Sequence, residues 1–252
     1  QFLVIGHPQI LSRALQLVGS AQKVVTLNDE QLATVAPDEI GCLNPGSGDV
    51  LDVIDGTIDA RAGRAAYEYL IRATDLALAG QIDAIVTAPL NKAALHDAGI
   101  DYPGHTEILA ERCGVHEYAM MLHLPACDVV RGEFGLSVNH VTLHTSIRSV
   151  PDLISEEAVR EKIELMDDFL IRIGCAEPRI GVCALNPHAG ENGLFGDEEQ
   201  QLISPAVAVT RERGHKVDGP IPADALLRRG AAGEFDGIVA MYHDQGHIAL
   251  KL

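Results

Sequence analysis

The sequence has few cysteines, and none of them are spaced as pairs. The chain has an odd number of cysteines and no Cys-x-x-Cys motif. The five are Cys42, Cys113, Cys127, Cys175 and Cys183. This scattered set argues against a disulfide framework and against a structural zinc site. We therefore expect the protein to work in a reducing compartment.

Long apolar runs are also missing. No stretch approaches the roughly 20 apolar residues of a membrane-spanning helix, and no basic segment followed by an apolar one opens the chain. We therefore expect no membrane partner and a cytoplasmic location. The chain opens at Gln1 and stops at Leu252 inside strand-like stretches, so we expect the native protein to continue at both ends.

Basic residues are scarce. Lys and Arg number 19 against 36 Asp and Glu, which gives a formal net charge of -17. Proteins that bind nucleic acids normally concentrate Lys and Arg on one surface. The composition therefore predicts no nucleic-acid partner.

The commonest nucleotide-binding loops are absent as well. No Gly-x-Gly-x-x-Gly follows a predicted strand, and no Gly-x-x-x-x-Gly-Lys-Ser/Thr occurs. The usual dinucleotide fingerprint and the P-loop are thereby excluded.

What the sequence does contain is an alternation of strand-like and helix-like segments. Its 252 residues, 47% of them hydrophobic, suffice for one large or two modest domains. The patterns predict, among others, strands at residues 84–86, 136–143, 179–185 and 237–241, helices at 60–79, 155–173 and 198–213, and loop at 29–55. This alternation predicts an α/β fold with a largely parallel sheet covered on both faces.

Three of the predicted strands run into a histidine: His144, His188 and His243. In α/β sheets, ligands sit at the carboxyl ends of strands, and three histidines leave a coordination position open for water or substrate. We therefore predict that these three bind one catalytic divalent metal ion. His140 also lies near His144, but four residues of a strand span about 13 Å, so we expect the His140 ring to point elsewhere along the sheet.

Five further residues are candidates for the same site. Asp244 and Asp224 would orient the ligating imidazoles or hold protons, and Asp224 could also act as a helix N-cap. His105 and Thr106 lie where a loop enters a helix, a natural anion site, and Thr106 is the expected cap of that helix. Lys251 follows an apolar, strand-like run and would anchor an anionic substrate. We take Asp244, Asp224 and Lys251 as the catalytic candidates.

Five segments in this order together resemble the 4-hydroxythreonine-4-phosphate dehydrogenase (PdxA) family: residues 87–92 (TAPLNK), 103–111 (PGHTEILAE), 185–191 (LNPHAGE), 219–224 (GPIPAD) and 242–246 (YHDQG). The resemblance covers nearly the whole chain. It implies an architecture like that of isocitrate and isopropylmalate dehydrogenases, with two α/β/α lobes and the active site in the cleft between them. Residues 1–103 would form the first lobe, completed by residues beyond Leu252, and residues 104–252 the second, which carries most metal ligands.

The resemblance also implies the chemistry. The metal histidines of the family match His144, His188 and His243, and its substrate residues match His105, Thr106 and Lys251. The implied cofactors are a divalent cation (Zn, Mg, Mn or Co) and NAD or NADP, whose binding residues stay unassigned. The implied reaction oxidises the secondary alcohol of a phosphorylated hydroxy acid and then decarboxylates it, in a homodimer whose partners share the active site.

Other activities stay open. Asn91 stands where vitamin-B6 members of the family carry His, and residues 118–122 (YAMML) look more like paralogues that oxidise 4-phospho-threonate or 4-phospho-erythronate. Residues 140–144 (HVTLH) and 243–248 (HDQGHI) are similar to dihydrodiol dehydrogenases of terephthalate breakdown. A metal-dependent hydrolase or lyase could use the same three histidines with a metal-activated water.

Overall fold

The structure is a computed structural model that describes residues 2–29, 35–36, 38–46 and 48–251. The chain divides into two compact units, Gln1–His116 and Glu117–Leu252. The division places the helix that begins at His105 in the first unit, whereas the lobe boundary expected from the resemblance lies at residues 103 and 104.

The first unit combines a small parallel sheet with helices. Its elements are β1 (Leu3–Ile5), α1 (Pro8–Leu17), β2 (Lys23–Leu27), β3 (Glu39–Leu43), α2 (Ala60–Leu78), α3 (Lys92–Asp97) and α4 (His105–Cys113). The strand order is β1-β3-β2, and both pairs are parallel. Helix α2 lies against α3 at Gly63, where an added Cβ would come within 2.0 Å of the Ala94 carbonyl oxygen. Only glycine therefore permits this approach.

Two sequence predictions in the first unit are wrong. The predicted loop at 29–55 contains β3, the central strand of the small sheet, because the buried Cys42 and Leu43 make a short core strand between Pro- and Gly-rich flanks. Residues 30–34, 37 and 47 of that loop lie outside the described residues. The predicted strand at 84–86 pairs with no strand in the described parts of the chain, and Val86 is 90% exposed.

The second unit is built on a five-stranded sheet. Its elements are β4 (Met121–Leu124), β5 (Leu136–His140), α5 (Val150–Leu153), α6 (Glu156–Arg172), β6 (Arg179–Cys183), α7 (Ser204–Glu212), β7 (Lys216–Ile221), α8 (Ala223–Ala231), β8 (Gly237–Ala240) and α9 (His243–Leu250). The strand order is β4-β5-β8-β6-β7, in which β4 pairs antiparallel to β5 and the other pairs are parallel.

Successive residues of β8 point to opposite faces of this sheet, as the period of a strand requires. Ile238 packs in a cluster with Leu226 of α8, and Val239 packs in another with Met166 of α6. All four β8 residues are buried. The predicted α/β fold with covered parallel strands is thus confirmed in this unit.

The structure also bears on membrane-spanning helices and on disulfide bonds. Among the described residues, no helix is both long and apolar enough to cross a membrane. All five cysteines lie in described parts of the chain and are free thiols.

An ion pair between a buried carboxylate, that of Asp236, and the half-exposed guanidinium of Arg179 joins the starts of β6 and β8. Asp236, which is 3% exposed, accepts hydrogen bonds from the Arg179 backbone N (3.0 Å), Nε (3.0 Å) and Nη2 (2.9 Å). The Asp236 backbone N in turn donates to the Arg179 carbonyl oxygen at 2.8 Å. The pair therefore fixes the relative position of the two strands.

We predict that Asp236→Ala lowers the free energy of unfolding by about 2 to 4 kcal/mol, because it removes three hydrogen bonds to a buried carboxylate. Lys216→Ala, which breaks the exposed pair with Glu177, is the control and should cost less than about 1 kcal/mol. Chemical denaturation of both variants measures the difference. Equal losses of unfolding free energy in the two variants would show that the pair of Asp236 and Arg179 does not join the strands.

Candidate active site

The three predicted ligands follow three adjacent strands. In the sheet, β8 lies between β5 and β6; His144 follows β5, His243 follows β8 and His188 follows β6. Because these strands are parallel, the three segments leave the same edge of the sheet. This is the edge at which α/β folds bind ligands.

His243 begins helix α9, so the prediction of a strand leading to Lys251 is wrong. Residues 243–250 lack the alternation of a half-buried strand, and His243 and His247 lie four residues apart on one helix face. Gly246 makes room for the neighbouring strand, since an added Cβ would come within 2.4 Å of His140 Nε2. Lys251 is the exposed residue that ends the helix.

Four imidazoles form one group, the histidine cluster, which comprises His140, His144, His243 and His247. The rings of His243 and His247 stack with centroids 3.7 Å apart, and that of His144 is 5.8 Å from that of His243. His247 Nδ1 lies 3.1 Å from His140 Nε2. Burial lowers the pKa of His140 to about 4, with a further contribution from the neighbouring His247. Burial likewise lowers the pKa of His247, and His243 adds to the effect.

The expectation that His140 points away from the other histidines is wrong. Its ring centroid is 6.4 Å from that of His243. The strand ends at His140, and the chain bends after it while the N–H groups of Val141 and Thr142 donate to the carbonyl oxygens of Ala240 and Met241. The extended spacing of a strand therefore does not separate His140 from His144.

Asp244 fixes the orientation of His243. Its Oδ1 lies 2.7 Å from His243 Nδ1. A carboxylate on one ring nitrogen sets the tautomer and leaves the other nitrogen free as a ligand, which is the usual arrangement around metal-binding histidines. Both residues and His144 line a pocket of about 440 Å³, together with Leu143, Thr145, Ser146, Ile147, Val150 and Tyr242.

Gln245, in the first turn of α9, joins the ends of two neighbouring strands through its side chain. Its Oε1 accepts from Met241 N at 2.7 Å, and its Nε2 donates to the Ala184 carbonyl oxygen at 2.8 Å. Because Met241 follows β8 and Ala184 follows β6, one side chain links the two strand ends behind His243.

His188 lies in a left-handed turn rather than in the histidine cluster. The residues from His188 to Asn192 all have positive φ, and the exposed His188 ring faces Phe195 with centroids 6.5 Å apart. Within the described residues, no three His, Cys, Asp or Glu side chains are placed to hold a metal ion. His144 and His243 suit a metal chemically, since both are imidazoles on one pocket and Asp244 orients one of them.

The remaining candidates lie at helix starts. Asp224 is exposed in the first turn of α8, whose N-cap is Pro222, so the N-cap alternative for Asp224 is wrong. His105 and Thr106 are the first two residues of α4 in the first unit. The N-cap of α4 is Gly104, without a side-chain hydrogen bond, so the predicted cap by Thr106 is also wrong. Glycine at the N-cap leaves the first-turn N–H groups without a side-chain acceptor.

A family profile matches the chain over residues 1–252, and its description is "Pyridoxal phosphate biosynthetic protein PdxA". The chain belongs to the PdxA family. The resemblance drawn from the five sequence segments is therefore confirmed.

Named relatives of the family are dehydrogenases. D-threonate 4-phosphate dehydrogenase of Pectobacterium atrosepticum is 42% identical over 251 residues, which cover 99% of this chain and 74% of that protein. The enzyme of the same name from Salmonella typhimurium is 48% identical over 197 residues, which cover 78% of this chain and 58% of that protein. The chain thus matches between 58% and 74% of the length of these relatives.

Solved structures agree with this assignment. The crystal structure of 4-hydroxythreonine-4-phosphate dehydrogenase from Klebsiella pneumoniae is similar with a TM-score of 0.90 and 42% identity, covering 99% of this chain and 73% of that one. A terephthalate 1,2-cis-dihydrodiol dehydrogenase from Burkholderia xenovorans reaches a TM-score of 0.64 and 29% identity, covering 98% and 73%.

Sequence reasoning missed two members of the histidine cluster, His140 and His247. The signal for His247 was the spacing of four residues from His243, which has meaning only if the segment is a helix. The signal for His140 was its position at the last residue of β5, beside β8. The strand assignment of residues 243–252 concealed the first, and the extended length assumed for residues 136–143 concealed the second.

We predict that the buried imidazole of His140 makes the protein less stable in mild acid. Its pKa is about 4 in the folded protein and about 6.5 in an unfolded chain, so between these values the unfolded chain binds the extra proton. The free energy of unfolding should therefore fall as the pH falls from about 6.5 to about 4, with His140 contributing on the order of 2 to 3 kcal/mol.

The measurement is urea denaturation at several pH values, with His140→Gln as the comparison. The variant should show a shallower loss over this range, because Gln does not titrate. The same pH dependence in both proteins would contradict the assignment.

Proposed function

We propose that this PdxA-family chain is an NAD(P)-dependent dehydrogenase of a phosphorylated hydroxy acid of the D-threonate 4-phosphate type, and that it uses a divalent metal ion. The observation that supports the metal most directly is His243, anchored through Nδ1 by Asp244 and facing His144 at a pocket beyond the parallel strands. The relatives named as dehydrogenases of phosphorylated acids support the reaction and the substrate class.

His144, His188 and His243 would hold the metal ion. The ion, when bound, would supply Lewis-acid polarisation of the alcohol oxygen and of the carbonyl that forms from it. Asp244 keeps the imidazole of His243 in the tautomer that offers Nε2. The proposal also includes a homodimer with a shared active site and a cytoplasmic location. It further includes an isocitrate dehydrogenase-like arrangement, in which residues 1–103 and 104–252 form two lobes with the site in the cleft between them.

The groups proposed to bind the substrate carry positive charge or attract negative charge. In the proposal, His105 and Thr106 bind an anionic group at the start of α4, where N–H groups and the helix dipole favour negative charge. Lys251 offers an exposed ammonium group for a carboxylate or phosphate. Asp224 is assigned to proton transfer as an exposed carboxylate in the first turn of α8.

The proposed reaction conserves atoms and electrons. NAD or NADP, when bound, would supply the hydride acceptor for the carbon that bears the alcohol. A carboxylate of the protein would take the hydroxyl proton, so that a ketone would form β to the acid. The bond to the carboxylate would then break and carbon dioxide would leave. The electrons released would form an enolate, whose negative charge lies on the former ketone oxygen until the carbon is protonated. Hydride acceptance belongs to the cofactor, whereas orientation and proton transfer belong to the protein.

Identity favours the phosphorylated acid over the dihydrodiol. The named D-threonate 4-phosphate dehydrogenases are 42% and 48% identical to this chain, whereas the dihydrodiol dehydrogenase structure is 29% identical. Asn91, which stands where vitamin-B6 members carry His, is the N-cap of α3 and accepts from Ala94 N at 3.0 Å. A structural role therefore accounts for this departure.

We predict that the purified protein with a divalent metal and NAD or NADP oxidises D-threonate 4-phosphate in preference to the other members of a panel. The panel contains 4-hydroxythreonine 4-phosphate, 4-phospho-erythronate and a cis-dihydrodiol of terephthalate. Absorbance of the reduced nicotinamide measures turnover, and carbon dioxide release confirms decarboxylation. Metal-dependent substrate cleavage without nicotinamide reduction would favour the hydrolase or lyase alternative instead.

We predict that His243→Ala loses bound metal and turnover together while remaining folded, because His243 is a partly buried residue at the start of α9 and does not belong to the apolar core. Asp244→Asn should keep the ligand but weaken metal affinity by about 10- to 100-fold, as expected when the partner of a ligating histidine is lost.

The matched control is His215→Gln, since His215 pairs with Asp167 outside the histidine cluster. Zn²⁺ titration followed by calorimetry measures affinity in all three variants. Retention of full metal affinity in His243→Ala would remove His243 from the proposed ligand set.

A further inference from the structure

A buried carboxylate underlies the turn that carries His188. Glu199 is 3% exposed and begins a short π-helical segment, Glu199–Ile203. Its Oε1 accepts from the backbone N of Asn186 at 2.7 Å, and its Oε2 accepts from Asn186 Nδ2 at 3.0 Å. Both oxygens thus bind the residue at which the chain enters the turn. Hydrogen bonds to an ionised acceptor are about twice as strong as neutral ones.

The turn itself has a costly backbone. His188, Ala189, Glu191 and Asn192 have φ between 45° and 58°. Non-glycine residues are disfavoured in this region because Cβ comes too close to the following carbonyl oxygen. Such a conformation persists only where the surroundings impose it. The backbone hydrogen bond from Leu194 N to the Glu191 carbonyl oxygen is long, at 3.3 Å. The anchor at Asn186 is therefore a candidate for the constraint that keeps the turn left-handed.

Packing around the carboxylate supports this role. An added Cβ at Gly190 would come within 2.8 Å of Glu199 Oε2 and within 2.8 Å of the Gly196 carbonyl oxygen. Gly190 is buried and has a φ of 77°. The turn therefore closes directly over the Glu199 carboxylate, and any side chain at position 190 would push the two apart.

The neighbouring Glu198 differs in ways that make it a natural comparison. Its Oε2 also accepts from Asn186 Nδ2, at 2.7 Å, but Glu198 is only half-buried and makes no described bond to the Asn186 backbone. Water can replace its contact at small cost. Glu199 has no such replacement, because its carboxylate is enclosed.

We propose that Glu199 is a positioning residue that holds the Pro187–Gly193 turn in its left-handed conformation and so sets the direction of His188. The significance for metal binding rests on the proposed function, in which His188 is a ligand. The conformational claim stands on the contacts of Glu199 alone.

The test compares Glu199→Gln with its matched control Glu198→Gln. Gln keeps the shape of Glu, but its amide group turns a donor toward a donor of Asn186, so one of the two anchoring bonds is lost. Hydrogen exchange of the backbone amides from Ala189 to Phe195 measures the opening of the turn. We expect exchange about tenfold faster or more in Glu199→Gln, the ratio that corresponds to about 1.4 kcal/mol, and less than about threefold faster in Glu198→Gln.

A second variant keeps the test decisive if Glu199→Gln does not fold. Asn186→Ala removes the side-chain donor and leaves the backbone bond to Glu199 intact, and it should raise exchange in the same segment while α6 is unaffected. Wild-type exchange of the turn in Glu199→Gln, or equal exchange in the two glutamate variants, would overturn the proposal.

Zn²⁺ titration separates this inference from the proposed function. If Glu199 positions a ligand, Glu199→Gln lowers Zn²⁺ affinity about tenfold and His188→Ala lowers it further. Unchanged affinity in His188→Ala would refute the metal role of His188 and leave the exchange result standing. Loss of metal in His188→Ala, with a loosened turn but full affinity in Glu199→Gln, would overturn the positioning role.

Discussion

The parallel pairing of β8 with β5 on one side and β6 on the other is the constraint on which the candidate site depends. It brings the segments that carry His144, His243 and His188 to one edge of the sheet. Its register is held at the start of β8 by Asp236 and Arg179 and at the end by Gln245. A shift of β8 by one residue would exchange the residues on its two faces and would move His243 away from His144.

The electrostatic character of the site follows from what lies behind His243. His247 stacks on its ring, and His140 contacts His247 from the sheet side. Burial lowers the pKa of both supporting imidazoles, so at neutral pH they are uncharged. The ring of His243 thus has a neutral imidazole stacked on it and the Asp244 carboxylate beside its Nδ1. A neutral imidazole with an anchored Nδ1 is the form that binds a metal cation.

The sequence predicted the α/β class and the three strands that lead to His144, His188 and His243, because buried strands appear as apolar runs and ligands bind where such strands end. The predictions were wrong for segments whose structure depends on contacts with residues distant in the sequence. Residues 39–43 form a central strand because β1 and β2 flank them, whereas residues 84–86 have strand-like residues and no partner among those described. The segment after Tyr242 folds as a helix whose Gly246 packs against His140, a contact between residues far apart in sequence that the local pattern does not reveal. The left-handed turn at His188 depends similarly on Glu199.

We propose that the pocket at His144 and His243 holds a divalent metal ion. Anomalous diffraction at the zinc edge, from crystals of the protein grown with Zn²⁺, tests it most directly. We predict a peak at about 2.0 to 2.1 Å from a ring nitrogen of His144 and from Nε2 of His243, the distance typical of zinc and imidazole. An anomalous peak for zinc elsewhere on the chain, with no anomalous density in this pocket, would contradict metal binding by His144 and His243.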